Sequence, residues 1–144
     1  LIAQLLDYAR LEAGRVTFRR DAVSVRDAVA QARELAEPLA RSRGVALEGR
    51  PAPGPAPSAS AWADRERLVQ VLVNLLTNAV KFTDAGGRIA VWWEANDETV
   101  AIHVRDTGRG IPADRLGSIF EPFVQVDAEA RTPREGIGLG LAIA

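Results

Sequence analysis

Between residues 68 and 82 the apolar positions return at every third or fourth residue. Leu68, Leu72, Leu75, Leu76 and Ala79 make one face of a helix, and such a stripe requires burial. Asn74, Asn78 and Lys81 recur with the same spacing on a neighbouring face. The rest of the pattern is arranged around this helix. Residues 1–13 carry a second stripe of Leu1, Ile2, Leu5, Leu6, Ala9 and Ala13, with Gly14 as the stop signal. Residues 16–19 alternate as a short strand does. Ser24 is placed to cap a helix from Val25 to about Arg43, with Val29, Ala32, Leu35, Ala36 and Leu39 inward. Pro38 inside that helix predicts a kink.

Residues 45–48 predict another strand. The run of Pro, Ala, Gly and Ser from 51 to 60 is a loop by composition, and its shortness marks it as a surface turn within a domain. Asp64 can cap the central helix, and residues 84–87 form a turn after it. Residues 88–96 and 99–106 read as two strands joined at Asn96-Asp97-Glu98, a hairpin. The sum is an α+β domain, helices layered on a mixed, largely antiparallel sheet.

A chain of 144 residues with 47% hydrophobic content is sized for one domain with a real core. A net charge of -1 leaves no electrostatic footprint for nucleic acid or an anionic membrane. Without cysteine there is neither a disulfide frame nor a thiolate metal site, which suits a cytoplasmic setting. No apolar run approaches membrane-spanning length and no signal peptide opens the chain. There is no methionine, and the first helix begins in mid-pattern, so the chain reads as a fragment of a larger protein.

Candidate chemistry starts from Asn74, Asn78 and Lys81. Polar groups beside a core stripe need partners if they are covered. A magnesium-bound polyphosphate satisfies all three; a wet helix face is the alternative. Further on, Ile102, Val104 and Asp106 share one strand face, so an apolar face ends in a carboxylate. An ionised acceptor there can take the exocyclic amine of a purine, while Gly108 and Gly110 let the backbone come close. The alternative is an ordinary strand-to-loop turn. His103, the sole histidine, points to the opposite face and reads as a solvated strand residue. Phe120 and Phe123 flank a proline and read as packing under a loop. Residues 124–135 turn polar and include Arg131 and Arg134: a lid with cations for phosphate, or a solvated loop. Gly136, Gly138 and Gly140 open an apolar helix, where backbone N–H groups can face an anion. This is neither a P-loop nor a dinucleotide fingerprint.

In order and spacing, these four stretches resemble the N, G1, F and G2 boxes of the catalytic ATP-binding domain of bacterial sensor histidine kinases. Residues 5–14 resemble the end of that family's dimerisation hairpin. The resemblance covers nearly the whole chain. It implies the Bergerat-type two-layer sandwich over residues 16–144, with residues 1–15 closing the hairpin. It implies ATP and Mg²⁺ as ligands, Asn78 on the metal with help from Asn74, and Lys81 on phosphate. Asp106 then binds the adenine amine, Gly108, Gly110 and Ile111 shape the base pocket, and Phe82 borders it. Gly136, Gly138, Leu139 and Gly140 line the phosphates with Arg131 and Arg134, while Phe120 and Phe123 anchor the lid.

The resemblance further implies a protein-histidine kinase whose parent dimerises through its N-terminal helices and feeds a response-regulator receiver domain. Nucleic acid and direct membrane contact have no place in it, and the setting is cytoplasmic even where the parent is membrane-anchored. Three departures accompany it. The phosphoacceptor histidine belongs upstream of Leu1 and is not replaced by His103, so no catalytic residue falls within the fragment. The family domain continues past Ala144, and Ile137 stands where many members carry Thr or Ser. Two other functions stay open. A conformational ATPase machine of the same fold would carry Glu, as base for water, where this chain has Asn74, and an amide cannot take that proton. A non-catalytic interaction module would have a degenerate pocket, against the set of Asn78, Lys81 and Asp106.

Overall fold

The computed structural model describes residues 9, 12–14, 17–49, 58–124 and 140–143. The chain divides into two units: Phe18–Arg109, and Leu1–Thr17 together with Gly110–Ala144.

The Phe18–Arg109 unit opens with strand β1 (Asp21–Ser24) and helix α1 (Val25–Ser42). Ser24 begins α1 by accepting the Asp27 N–H at 3.3 Å, as an N-cap serine does. Strand β2 (Ala46–Gly49) and strand β3 (Ser60–Ala63) precede helix α2 (Arg65–Phe82). Strands β4 (Arg88–Ala95) and β5 (Val100–Asp106) complete the unit. Their hairpin is held by Asn96, whose Oδ1 accepts the N–H groups of Glu98 at 2.9 Å and Thr99 at 2.7 Å. β2 lies parallel to β4 and β4 antiparallel to β5, giving a sheet ordered β2-β4-β5. β1 and β3 form a separate antiparallel pair.

The core lies between the helices and one face of that sheet. α1 buries Val25, Ala28, Val29, Ala32, Ala36 and Ala40. α2 buries Val69, Leu72, Leu76, Ala79 and Val80, and β4 contributes Ile89 and Val91. The two-residue period of β4 and β5 sends Trp93, Ile102 and Val104 to the same side, half-buried against the core. Mixed pairing with helices on one face is the α+β sandwich anticipated from the pattern.

The differences are local. Among the described residues the first strand is β1 at Asp21–Ser24; residues 17–19 of the strand expected at 16–19 carry no element, and residue 16 lies outside the described residues. β1 exists through pairing with β3, a distant partner that the Pro- and Ala-rich composition before it concealed. The buried line of α2 includes Val69 and Val80, with Leu68 and Leu75 only half-buried, because α1 and the strands cover different flanks of the helix. Leu35, expected inward, is 59% exposed, since α1 presents its alanine line to α2. The helix runs on through Pro38 to Ser42. The carbonyl deprived of a donor there is that of Glu34, on the exposed side, where water can bond it.

In the other unit, the Ala13 N–H bonds the Ala9 carbonyl at 3.1 Å and Gly14 takes φ +62, the left-handed stop its glycine predicts. A 3₁₀ turn at Ala113–Arg115 and a short helix α3 (Gly140–Ile143) follow. Phe120 and Phe123, expected to pack under a loop, are 62% and 57% exposed. Among the described residues no helix is long and apolar enough to cross a membrane.

Asp64 ties the start of α2 to the segment before β1. It accepts N–H bonds from Arg19 at 2.9 Å and Arg67 at 3.2 Å, and these bonds, Arg19's foremost, hold its carboxyl below the ordinary value of 3.8. A carboxylate depressed by folding stabilises above its unfolded value, and that stability is lost as pH falls through the lower folded value. Asp64→Asn is therefore expected to flatten the decline in melting temperature below pH 3.8, measured by circular dichroism. An unchanged acid limb would show that Asp64 does not contribute to it.

Candidate functional site

Asn74 and Asn78 stand half-buried one turn apart on α2. Between them, the Thr77 hydroxyl turns into the helix and donates to the Val73 carbonyl at 2.8 Å. Lys81, one turn beyond Asn78, is half-buried with Nζ 5.3 Å from the centre of the Phe82 ring. Phe82 ends the helix. Thr83 follows with φ -103 and ψ 131, an extended conformation that turns the chain away.

Asp106 ends β5, opposite Ile89 in the ladder and on the strand face of Ile102 and Val104. Its Oδ1 accepts the Gly108 N–H at 2.8 Å, the local bond of an Asx turn. Its other oxygen has no hydrogen bond among the described residues. The loop is then laced to its neighbours. The Thr107 N–H bonds the Arg88 carbonyl at 3.1 Å, and Thr107 Oγ1 accepts the Arg88 N–H at 3.0 Å. The Arg109 N–H reaches the Phe82 carbonyl at 3.4 Å.

Gly108 is where the helix end and the strand end meet. A Cβ there would overlap the Phe82 carbonyl oxygen and lie 2.8 Å from Asp106 Oδ1 and 3.0 Å from the Phe82 carbonyl carbon. Two motifs separated by a whole hairpin therefore close on one point, and only glycine fits between them. Lys81, Phe82, Asp106 and Gly108 are brought together; Asn74 and Asn78 lie further along the same helix. Among the described residues no group of three or more His, Cys, Asp or Glu could hold a metal ion. A metal at this site would depend on single oxygen ligands such as the Asn78 amide, completed by water and a ligand's own oxygens, which is magnesium's habit.

Gly110, with φ +72, and exposed Ile111 belong to the other unit, as does Gly140, which opens α3. Arg131, Arg134, Gly136, Gly138 and Leu139 lie outside the described residues. His103 is more than a solvated residue. It stacks on Trp92, its directly opposed neighbour, with ring centres 4.9 Å apart and planes 11° apart, and Nε2 is 3.9 Å from Glu94 Oε2. This cluster occupies the sheet face opposite Asp106.

The sequence pattern gives Arg109 no role, as it fills one of the two unspecified positions of Asp106-Thr-Gly-Arg-Gly. Its Cζ stands 5.1 Å from the Phe82 ring centre, so the ring has two cations beside it. The available signal was a single side chain flanked by glycines beside the carboxylate.

Comparison with known proteins matches residues 63–144 to the family described as histidine kinase-, DNA gyrase B-, and HSP90-like ATPase. The circadian input-output histidine kinase CikA of Thermosynechococcus vestitus is 37% identical over 99% of this chain, which spans 20% of that relative. The histidine protein kinase DivJ of Caulobacter vibrioides is also 37% identical over 99% of the chain, which spans 23% of it. Among solved structures, full-length ShkA in complex with AMPPNP superposes with a TM-score of 0.80 at 37% identity, covering 97% of this chain and 28% of that one. The catalytic domain of histidine kinase ThkA, free of nucleotide, superposes at 0.69 with 28% identity, covering 89% of this chain and 77% of that one.

Proposed function

Since the chain belongs to the histidine kinase-, DNA gyrase B-, and HSP90-like ATPase family, we propose that it is the catalytic ATP-binding module of a two-component sensor histidine kinase. It spans about a fifth of the curated relatives it matches, so the reaction belongs to a larger assembly. In that assembly the γ-phosphoryl of ATP passes to a histidine on the dimerisation helices, residues 1–15 being the end of that hairpin and 16–144 the catalytic domain. The phosphoryl group then goes to a response-regulator aspartate. Its setting is the cytoplasm and its working form a homodimer.

The observation that supports this reading most directly is the junction at Gly108. A carboxylate at a strand end, a backbone close enough to exclude any side chain, and the end of an amide-bearing helix occupy one place. In the proposed site, Asp106 accepts the adenine amine, with Gly108 letting its loop close on the end of α2 and Phe82 forming a wall. The family resemblance assigns Gly110 and Ile111 to the base pocket as well. Asn78, assisted by Asn74, holds Mg²⁺, and Lys81 meets the phosphates, as do Arg131, Arg134, Gly136, Gly138, Leu139 and Gly140. The metal, when bound, neutralises polyphosphate charge. The protein's part is positioning, since phosphoryl transfer asks little else of it. Asn74 has no capacity to deprotonate water, which favours a protein side chain as acceptor over hydrolysis.

Calorimetric titration with a non-hydrolysable ATP analogue, with and without Mg²⁺, tests the site. Saturable binding that weakens on removing Mg²⁺, with that dependence lost in Asn78→Ala, is the expected result. No binding by the wild-type protein would overturn the reading in favour of an interaction module. Unchanged Mg²⁺ dependence in the variant would remove Asn78 from the metal.

A further inference from the structure

Phe82 is 37% exposed at the mouth of the proposed nucleotide site, and two cations attend its ring at similar distances, Lys81 Nζ at 5.3 Å and Arg109 Cζ at 5.1 Å. The two are chemically unlike. An ammonium is a compact, strongly hydrated point charge suited to phosphate oxygens. A guanidinium is planar and weakly hydrated, and it stacks on aromatic faces. Lys81 extends from the helix that carries the amides. Arg109 extends from the loop that carries the carboxylate, one residue past Gly108, with its N–H bonded to the Phe82 carbonyl. The backbone therefore fixes Arg109 next to Asp106, and its side chain crosses to the ring. Gly108 and Gly110 flank it, so Arg109 supplies the sole side chain longer than a hydrogen at positions 108–110.

We propose that Arg109 is a base-binding residue of this site, its guanidinium plane and the Phe82 ring forming a stacking platform for a purine held at its amine edge by Asp106. This deepens the nucleotide-binding reading above and rests on it. Stacking on a guanidinium is blind to the number of phosphates, because the base is common to all adenine nucleotides. A cation that served the polyphosphate would instead matter more as phosphates are added.

The test is calorimetric titration of AMP, ADP and ATP into wild type, Arg109→Ala and Arg109→Lys, with melting curves confirming that each is folded. Arg109→Ala is expected to weaken all three nucleotides by the same factor, about fivefold for a partly exposed cation–π contact. Arg109→Lys, which keeps the charge and loses the plane, is expected to share that loss. A deficit that grows from AMP to ATP and is rescued by lysine would overturn the proposal and make Arg109 a phosphate ligand. Wild-type affinity in both variants would overturn it too, while leaving the nucleotide site intact. No binding of any nucleotide by the wild type would overturn the site itself, and the two failures are thereby told apart.

Discussion

Gly108→Ala is expected to weaken nucleotide binding by roughly tenfold or more while leaving the core folded. A single methyl group produces this because of what surrounds it. Two of its nearest neighbours would be the Phe82 carbonyl oxygen and carbon, backbone atoms that cannot turn aside, and the third is Asp106 Oδ1, which can rotate away only by giving up the Gly108 N–H. Overpacking of such a site costs about 1–3 kcal/mol. Relief requires the loop to lift from the end of α2. Lifting it breaks the 2.8 Å bond that aims the Asp106 carboxylate and the bond from the Arg109 N–H to the Phe82 carbonyl. The fold survives because the glycine stands outside the buried cluster of α1, α2 and β4. Calorimetry for affinity and circular dichroism for folding decide the matter. Wild-type affinity in the variant would mean that the contact between loop and helix is not needed for binding.

Leu76→Ala is expected to be the most destabilising single truncation in the helix that carries the amides. Leu76 is 1% exposed and among the largest fully buried side chains. Much of the surrounding core is alanine and valine, so few side chains are long enough to refill the space. Truncation of a buried leucine costs about 2–5 kcal/mol, against a total of roughly 5–15 for a domain. At about 3 kcal/mol the melting temperature falls by roughly 10–25 °C. Leu75→Ala is the matched control, because its side chain is only half-buried and its loss is expected to be less than half as large. Equal losses at the two positions would contradict the observed orientation of α2. Thermal denaturation followed by circular dichroism reads both.

The sequence by itself determined what depends on neighbours three or four residues apart. The caps at Ser24 and Asp64, the Gly14 stop, the central helix ending at Phe82 and the hairpin at Asn96 are local bonds between groups close in the chain. They were legible because short-range geometry leaves few alternatives. The motif pair of Asn74, Asn78 and Lys81 with Asp106 and Gly108 was legible for the same reason, each half being a pattern within one stretch.

What the tertiary structure decided depends on partners far along the chain. Strand β1 lies at Asp21–Ser24 because β3 pairs with it there, and four residues of weak alternation cannot reveal a partner some forty residues away. Val69 and Val80 are buried and Leu35 is exposed because neighbouring elements, not periodicity, choose which edge of a stripe is covered. The stack of His103 on Trp92 follows from a ladder register that no single strand specifies. Arg109 gained its place for the same physical reason. Its side chain finds the Phe82 ring because the loop after β5 is bonded to the end of α2, an approach set by long-range packing.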